Sequence, residues 1–345
     1  MKKLGFAFLV FFFVCGTLIT VGQQQAMAKE LKLIFAHYVP TAYPEFPIIQ
    51  GFVDYINQHG KGRVHIEHFH SGTLLKSKET MPGLMQGTAD IILHIDAAIM
   101  GTYPIMGIIE LPLLYPDVGT SYEKLKIGSP LYQLINQELA KKDIIAIATW
   151  PVLYEYIWTK KPIRKPDDLK GLRIRAAGRV EAAVIKALGA APTTTSSAEL
   201  YEAVKRGTVD GVMCMGTTIM TRGLQDEVKY VTKPPLGAYS VEIYMRLDKW
   251  KGLTPDIREL LLEAGKRFGS MYLEYSAPPG DKYGGYATYG EKHTWPLLRK
   301  AGIKEIVLTK EEQQEFKKRL KPIWDWWKGL LPPGVGEKAI KLATE

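Results

Sequence analysis

Apolar and polar positions along this chain follow two rhythms that trade places in a regular order. Leu31 to His37 is a mostly apolar run and predicts a buried strand. Pro47 to Gln58 carries its apolar residues at helical spacing and ends near Gly60. Arg63 to His70 alternates, as a second strand does. Lys76 to Gln86 predicts a helix that Gly87 stops, and Ala89 to His94 a third, largely apolar strand. Strand, helix, strand, helix, strand implies a parallel sheet with crossover helices.

The same grammar returns past residue 160. Leu172 to Ala176 predicts a strand, Val180 to Leu188 a helix stopped by Gly189, and Val209 to Met213 another strand. Between them Ser196 and Glu199 hold the spacing of a capping box, so a helix is expected over Ser196 to Arg206. Two stretches match closely, Gln86-Gly87-Thr88-Ala89-Asp90 and Arg206-Gly207-Thr208-Val209-Asp210. Each closes a helix and opens a strand, which suggests two lobes of similar plan.

Ile144 to Tyr156 is apolar and aromatic, broken by Pro151, and is placed to cross between the lobes; Tyr239 to Leu247 is placed to return. Two crossings make each lobe discontinuous and create a hinge. Thr254-Pro255 opens a long helix, with Ile257, Leu261, Ala264, Phe268 and Met271 on one face. A second capping box, Thr309 with Glu312, opens a helix carrying Phe316, Leu320, Ile323 and Trp327 on its buried side. Gly and Tyr punctuate 280–290, where a break is expected. Trp324, Trp326 and Trp327 are assigned to packing.

The start of the chain changes the picture of where these lobes work. Lys2 and Lys3 precede the apolar run Leu4 to Val21, and Ala26-Met27-Ala28 has the small-x-small form of a cleavage site. Residues 1–28 are therefore expected to be a secretory signal peptide and the mature protein to be periplasmic and soluble. A permanent anchor is the competing reading, but the run is marginal for a ~20-residue span. Cys15 lacks the small preceding residues of a lipoprotein site, and its loss leaves Cys214 without a disulfide partner. Stability must then come from core burial, and roughly 300 residues suffice for two lobes.

The 45 Lys and Arg against 36 Asp and Glu give a net charge of +9, which falls by two when Lys2 and Lys3 are removed. The basic residues are scattered without a basic-aromatic stripe, which argues against nucleic acid and mildly for an anionic ligand. The sequence has no G-x-S-x-G, H-E-x-x-H, P-loop or G-x-G-x-x-G after a strand. Cys214 lies between Met213 and Met215, an apolar wall rather than an activating site. His68 and His70 share a strand face, with His65 near, but no third metal ligand follows from spacing. Asp167-Asp168 sits in a turn after Pro166, where Asp commonly caps the chain. No metal and no cofactor are expected.

Asp168-Leu169-Lys170-Gly171-Leu172-Arg173-Ile174-Arg175 carries the strongest signal. A turn feeds a short strand whose far end is Arg175, and ligands of parallel α/β sheets sit beyond the carboxyl ends of strands. A guanidinium there matches a carboxylate in a bidentate pair. Arg173, near the strand start, is the exposed control.

At these residues the chain resembles the substrate-binding proteins of tripartite ATP-independent periplasmic (TRAP) transporters, the C4-dicarboxylate-binding-like family. The likeness rests on Lys160-Lys161-Pro162-Ile163 with Asp168 to Arg175, on Leu188-Gly189-Ala190-Ala191-Pro192 running into Glu199-Leu200-Tyr201 and Gly207 to Gly211, on Leu111-Pro112-Leu113-Leu114-Tyr115, and on Gly62-Arg63-Val64 through Ser71-Gly72. The resemblance implies an α/β, two-lobed periplasmic-binding-protein fold with a hinge and a long bracing helix. It implies lobe I at 29–150 with about 239–270, lobe II at 151–238 with about 271–330, and a C-terminal tail at 331–345. It implies a non-enzymatic receptor that clamps an organic acid through Arg175 and hands it to TRAP membrane subunits. His37 or Tyr38 after the first strand and Asp96 after the third match positions that line the cleft in that family. A periplasmic enzyme or a sensor-receptor on the same scaffold is the alternative.

Two departures bear on the ligand. Many relatives carry a second arginine before the K-P-I segment, where this chain has Tyr154, followed by Glu155. Many follow V-D-G with Q-E-N-P, where this chain has Val212-Met213-Cys214-Met215. The expected pocket has lost polar donors and gained soft apolar surface, which suits a monocarboxylate with an apolar or aromatic body. The alternative is that these residues only pack the core. Tyr154, Tyr156 and Trp158 lie in the crossing stretch; each is placed to stack on a ligand ring or to pack as core.

Overall fold

A computed structural model of the chain describes residues 30–276 and 293–345. The expected signal segment and the break at 280–290 lie outside the described residues. Among the described residues eleven strands, here β1 to β11, fall into two sheets. The first sheet has the order β2-β1-β3-β10-β4 and comprises Val64–Phe69, Leu31–Ala36, Ile91–Ile95, Val241–Arg246 and Ile144–Thr149. The second has the order β11-β9-β5-β8-β6-β7 and comprises Lys304–Val307, Tyr230–Tyr239, Leu153–Thr159, Gly211–Cys214, Arg173–Ala176 and Ala191–Thr194.

The parallel core of the first sheet is the one the pattern predicts, and the second adds β7, a strand the pattern did not mark. β1 pairs in parallel with β2 and β3, and β6 with β7 and β8. Each sheet also holds antiparallel pairs that the parallel expectation omitted. β10 runs against β3 and β4, and β5 runs against β8 and β9. The reason is the crossings: a strand arriving from the other lobe enters its new sheet from the cleft side, opposite to the strands already there.

The repeated G-T-x-D stretches do the same job in both sheets. Gly87 and Gly207 adopt positive φ, 80° and 66°, where glycine carries no Cβ penalty. The following aspartates then clip the neighbouring strand. Asp90 N donates to Ile34 O at 2.9 Å while its carboxylate accepts from Ile34 N at 2.9 Å; Asp210 N donates to Arg173 O at 2.7 Å while its carboxylate accepts from Arg173 N at 2.9 Å.

Helix termini follow the caps read from the sequence, with small differences. Both boxes close, Ser196 with Glu199 and Thr309 with Glu312. The first turn after each of Lys76 and Ser196 is 3₁₀ before the α-helix begins, because the Glu side chain folds back onto the backbone N–H of Lys76 or Ser196. The Thr309 helix ends at Leu320, and Pro322, which cannot donate an N–H, starts a second one, Pro322–Lys328. Phe316, Leu320, Ile323 and Trp327 are buried as expected.

The long helix is Pro255–Ser276, 22 residues. Ile257, Leu261, Ala264 and Phe268 pack on the first sheet, with Phe52 and Trp150 against Phe268. Met271, expected on that face, is 39% exposed, and Leu260, Tyr272 and Leu273 supply burial instead. The apolar stripe drifts because 3.6 residues per turn does not repeat over five turns. Leu273 packs with Val118, and Tyr154 of β5 rests on them, so the helix reaches from the first sheet to a strand of the second.

Residues 331–345, set aside as a tail, carry a helix instead, Val335–Thr344, with Gly336, Ala339 and Ala343 buried. Its small residues let it lie close to the Pro130–Ala140 helix on the first lobe. Trp327 is fully buried, and its indole donates to Pro104 O at 2.8 Å. Trp326 is 37% exposed and Trp324 donates to Pro112 O, so the three tryptophans do not share one fate. Among the described residues no helix is long and apolar enough to cross a membrane.

Candidate ligand-binding site

Between the sheets the chain crosses twice directly from strand to strand, and it enters the second sheet again at β11, after the Pro255–Ser276 helix. Trp150-Pro151-Val152 joins β4 to β5, and Ser240 alone joins β9 to β10. They are tied together: Ser240 Oγ lies 3.2 Å from Trp150 O and 2.7 Å from Glu242 Oε1, and Ser240 N donates to Asp96 Oδ1 at 3.2 Å. All of this is buried. The lobes therefore meet over a polar knot with no water contact, and a ligand site beside it is low in dielectric.

β6 delivers Arg175 to that region. The strand starts in solvent and ends under cover, because Arg173 is exposed while Ile174, Arg175 and Ala176 are buried. Arg173 is fully engaged, with a two-point pair to Asp210 at 3.0 and 3.1 Å and a bond to Gly207 O at 2.7 Å. Arg175 is 4% exposed and forms no ion pair among the described residues. Its Nε donates to Thr195 O at 3.1 Å and its Nη1 to Met213 O at 3.3 Å, which leaves Nη2 without a protein partner there. A buried guanidinium hydrogen-bonded to neutral oxygens, with no carboxylate in contact among the described residues, favours an incoming anion.

Arg175 lines a cavity of about 100 Å³. The first lobe contributes Tyr38, Leu93, Ile95 and Trp150; the second contributes Glu155, Cys214, Met215 and Arg222. Tyr38, Arg175 and Ser197 also belong to a more open cleft of about 930 Å³ beside it. The rim is crossed by lobe-to-lobe contacts. Lys78 meets Glu199 at 3.5 Å, Tyr43 OH lies 3.5 Å from Ser197 Oγ, and Arg222 sits over the Tyr43 ring at 5.5 Å. Gly178 packs so tightly on Ala97 that an added Cβ would lie 2.6 Å from Ala97 O. The lobes are closed on the cavity.

The walls are acidic as well as apolar. Glu45 and Glu181, both cavity-lining, are pushed up to about 7 by burial, with the Arg175 charge pulling Glu181 back. Glu155 is raised by burial and by Glu181, again opposed by Arg175. Behind them Asp96 is raised by burial and by Glu242, and Glu242 by burial to about 8. Among the described residues each of Glu45, Asp96, Glu155 and Glu181 has one buried carboxyl oxygen without a hydrogen bond, and Trp150 Nε1 is buried without a partner too.

The family of bacterial extracellular solute-binding proteins, family 7 (DctP), matches residues 35–329. The chain belongs to this family. Among curated relatives, this solute-binding protein is 25% identical over 327 residues to the C4-dicarboxylate-binding protein DctB of Bacillus subtilis, covering 93% of this chain and 89% of that one. It is 24% identical over 307 residues to the C4-dicarboxylate-binding periplasmic protein DctP of Rhodobacter capsulatus, covering 87% of each. Among solved structures it superposes on DctP7 of Bordetella pertussis, an extracytoplasmic solute receptor binding pyroglutamic acid, with a TM-score of 0.79, 21% identity and coverage of 91% and 99%. It also superposes on a TRAP periplasmic solute-binding protein of Desulfovibrio salexigens with bound orotic acid, with a TM-score of 0.78, 20% identity and coverage of 91% and 97%. The two-lobed α/β fold is shared, and proteins of this family bind solutes rather than convert them.

The solute-binding protein brings some of the sequence-predicted residues together and separates others. Arg175, Tyr38, Cys214 and Met215 line the one cavity. Met213 does not; it is fully buried behind it, and its carbonyl steadies Arg175. His37 is buried under the first sheet, where its Nε2 lies 2.7 Å from His68 Nε2 and its Nδ1 accepts from Val39 N. Burial and the neighbouring imidazoles hold it down to about 3, so it is neutral. Asp96 is buried at the crossing rather than in the cavity wall. Tyr154 faces away: it lines a separate groove with Pro234 and Trp324, and its hydroxyl donates to Tyr115 O at 3.3 Å. Burial pushes the Cys214 thiol up, which leaves it inert as a nucleophile. Among the described residues no group of three His, Cys, Asp or Glu side chains is arranged to hold a metal ion.

Glu45, Glu155, Glu181, Trp150 and Arg222 were not picked out as site residues. Glu155 had a signal: on a strand, neighbours point to opposite faces, so a Tyr154 facing one way puts Glu155 on the other. Glu45 and Arg222 come from loops and short helical turns where no periodicity speaks.

Proposed function

We propose that this solute-binding protein is a periplasmic receptor for a small organic acid, which it passes to the membrane subunits of a TRAP transporter. The observation that carries the reading is the Arg175 guanidinium, buried, unpaired and turned to a cavity between two closed lobes. The ligand carboxylate takes the free edge of Arg175, and Leu93, Ile95, Val241 and Met215 favour an apolar or aromatic body. Relatives named for C4-dicarboxylates, and solved receptors holding pyroglutamic and orotic acids, support an acid as the solute class.

In this reading residues 1–28 direct export and are removed. Lobe I takes in 29–150 with about 239–270, and lobe II 151–238 with about 271–330. The two sheets support this division, since the chain changes sheet between Thr149 and Leu153 and again between Tyr239 and Val241. Ligand affinity for the closed form drives closure, because a ligand binding both forms equally shifts nothing. The closed surface then docks on the transporter.

A thermal-shift screen of carboxylic acids against neutral sugars and amines tests the assignment. Stabilisation confined to acids is the expected outcome. Stabilisation by neutral sugars or amines, with none by acids, would remove it.

A further inference from the structure

Inside the cavity the polar groups divide into two sets. Arg175 Nη2 and Trp150 Nε1 lack partners among the described residues and need an acceptor, which a carboxylate supplies. Glu45 Oε2, Glu155 Oε2 and Glu181 Oε1 are also buried without a hydrogen bond among the described residues, and in the ionised form they need a donor. All five side chains line the same cavity. A plain carboxylate satisfies the first set and leaves the second worse off, because it adds another acceptor and another negative charge beside three carboxyl groups.

Charge points the same way. Arg175 and Arg222 bring two positive charges to a wall that also holds Glu45, Glu155 and Glu181. Arg222 is partly committed, to Ser197 Oγ at 3.0 Å and to the Tyr43 ring. With the three carboxyl groups ionised, a buried monoanion adds to the negative charge of an enclosed volume, whereas a zwitterion leaves it unchanged. An ammonium carries three N–H donors on one compact centre, matching the three open carboxyl oxygens in number and kind.

We propose that the ligand is a zwitterion of the amino-acid type, its carboxylate on Arg175 and Trp150 and its ammonium received by Glu45, Glu155 and Glu181. This rests on the organic-acid reading and narrows it: the solute is an amino-bearing acid, and acids made only of carbon, hydrogen and oxygen are rejected. Burial already disfavours the ionised carboxyl groups, so a ligand cation restores the charged form as it binds. The apolar residues Leu93, Ile95 and Val241 then receive the side chain.

Matched pairs test this: L-leucine against 4-methylpentanoate, L-phenylalanine against 3-phenylpropionate, and L-glutamate against glutarate, each titrated by calorimetry into the mature protein. At least one amino acid is expected to bind ten-fold or more tighter than its des-amino partner. Glu155→Gln and Glu181→Gln should each erase that preference while leaving the affinity for the partner acid unchanged or raised. Having two variants guards against one failing to fold, which circular dichroism reports. If the des-amino acids bind as well as or better than their partners, and do so through Arg175, the ammonium site is overturned while the acid receptor stands. Binding by neither set overturns both.

Discussion

Arg175 Nε donates to the main-chain oxygen of Thr195 at 3.1 Å, so the arginine is anchored by its own lobe and not by the cleft it faces. The guanidinium is in place before any ligand arrives. Its fork is planar and fixed, and a lysine at this position keeps charge but not the anchored geometry. Arg175→Lys is expected to lose ligand affinity almost as fully as Arg175→Ala, with an unchanged circular dichroism spectrum. Full affinity in the lysine variant would mean that a point charge suffices.

Gly178 sits where the lobes touch. Its φ of −147° is open to any residue, so a substitution there acts through contact alone. A Cβ would lie 2.6 Å from Ala97 O and 2.7 Å from Ala97 Cβ. Gly178→Ala is therefore expected to prop the lobes apart and weaken ligand binding about ten-fold or more, since closure carries the affinity. Apo stability should hold. Small-angle scattering with saturating ligand reads the result directly: the wild type compacts and the variant compacts less.

The buried carboxyl groups dominate the pH response. His37, His68 and His94, lowered by burial to about 3, 4 and 4, act the other way below about pH 6.5, but they are fewer than the raised carboxyl groups. Glu45, Glu181 and Glu242 sit at about 7, 7 and 8, all raised by burial, and Asp96, Glu110 and Glu155 are raised as well. A carboxyl raised on folding binds more protons in the folded than in the unfolded chain between its two pKa values. Its stabilising contribution is complete below the unfolded value and is lost as pH climbs through the folded one. The ligand-free protein should accordingly melt at a higher temperature at pH 5.5 than at pH 8.5. Glu242→Gln, which removes one of these protons from the balance, should flatten that slope. A melting temperature rising from pH 5.5 to 8.5 would contradict the assignment.

Trp327 ties the C-terminal helices to the first lobe. It is fully buried over Gly107, where an added Cβ would meet its Nε1 at 2.5 Å. Trp327→Ala should cost about 3–5 kcal/mol by leaving a cavity, and Gly107→Ala about 1–3 kcal/mol by overpacking, in chemical denaturation. Ligand affinity, measured where each variant is folded, should change little.

Much of this architecture was legible because local chemistry and tertiary need coincide. The G-T-x-D repeats announced two similar lobes since a left-handed glycine and a strand-clipping aspartate are needed at the same point in each. Arg175 was legible because it ends a strand that Asp168 to Gly171 visibly begins. Tyr154 and Glu155 show where the signal ran out. The position ahead of the K-P-I segment falls on β5, but only the facing of β5 decides which neighbour enters the cavity, and that is set by its pairing with β8 and β9. Asp96 and His37 were drawn toward the cleft by position, while their real partners, Ser240 and His68, come from distant segments. The carboxyl wall was invisible because Glu45, Glu155 and Glu181 converge only in the folded chain.

The central claim is that the buried guanidinium of Arg175 holds the carboxylate of the solute. Calorimetric titration of wild type, Arg175→Ala and Arg173→Ala with one stabilising acid tests it most directly. Removing one partner of a buried charge pair costs about 2–5 kcal/mol, so Arg175→Ala should bind at least ~30-fold more weakly. Arg173→Ala, which loses only a surface pair with Asp210, should bind as the wild type does. Equal affinity in wild type and a folded Arg175→Ala would contradict the account.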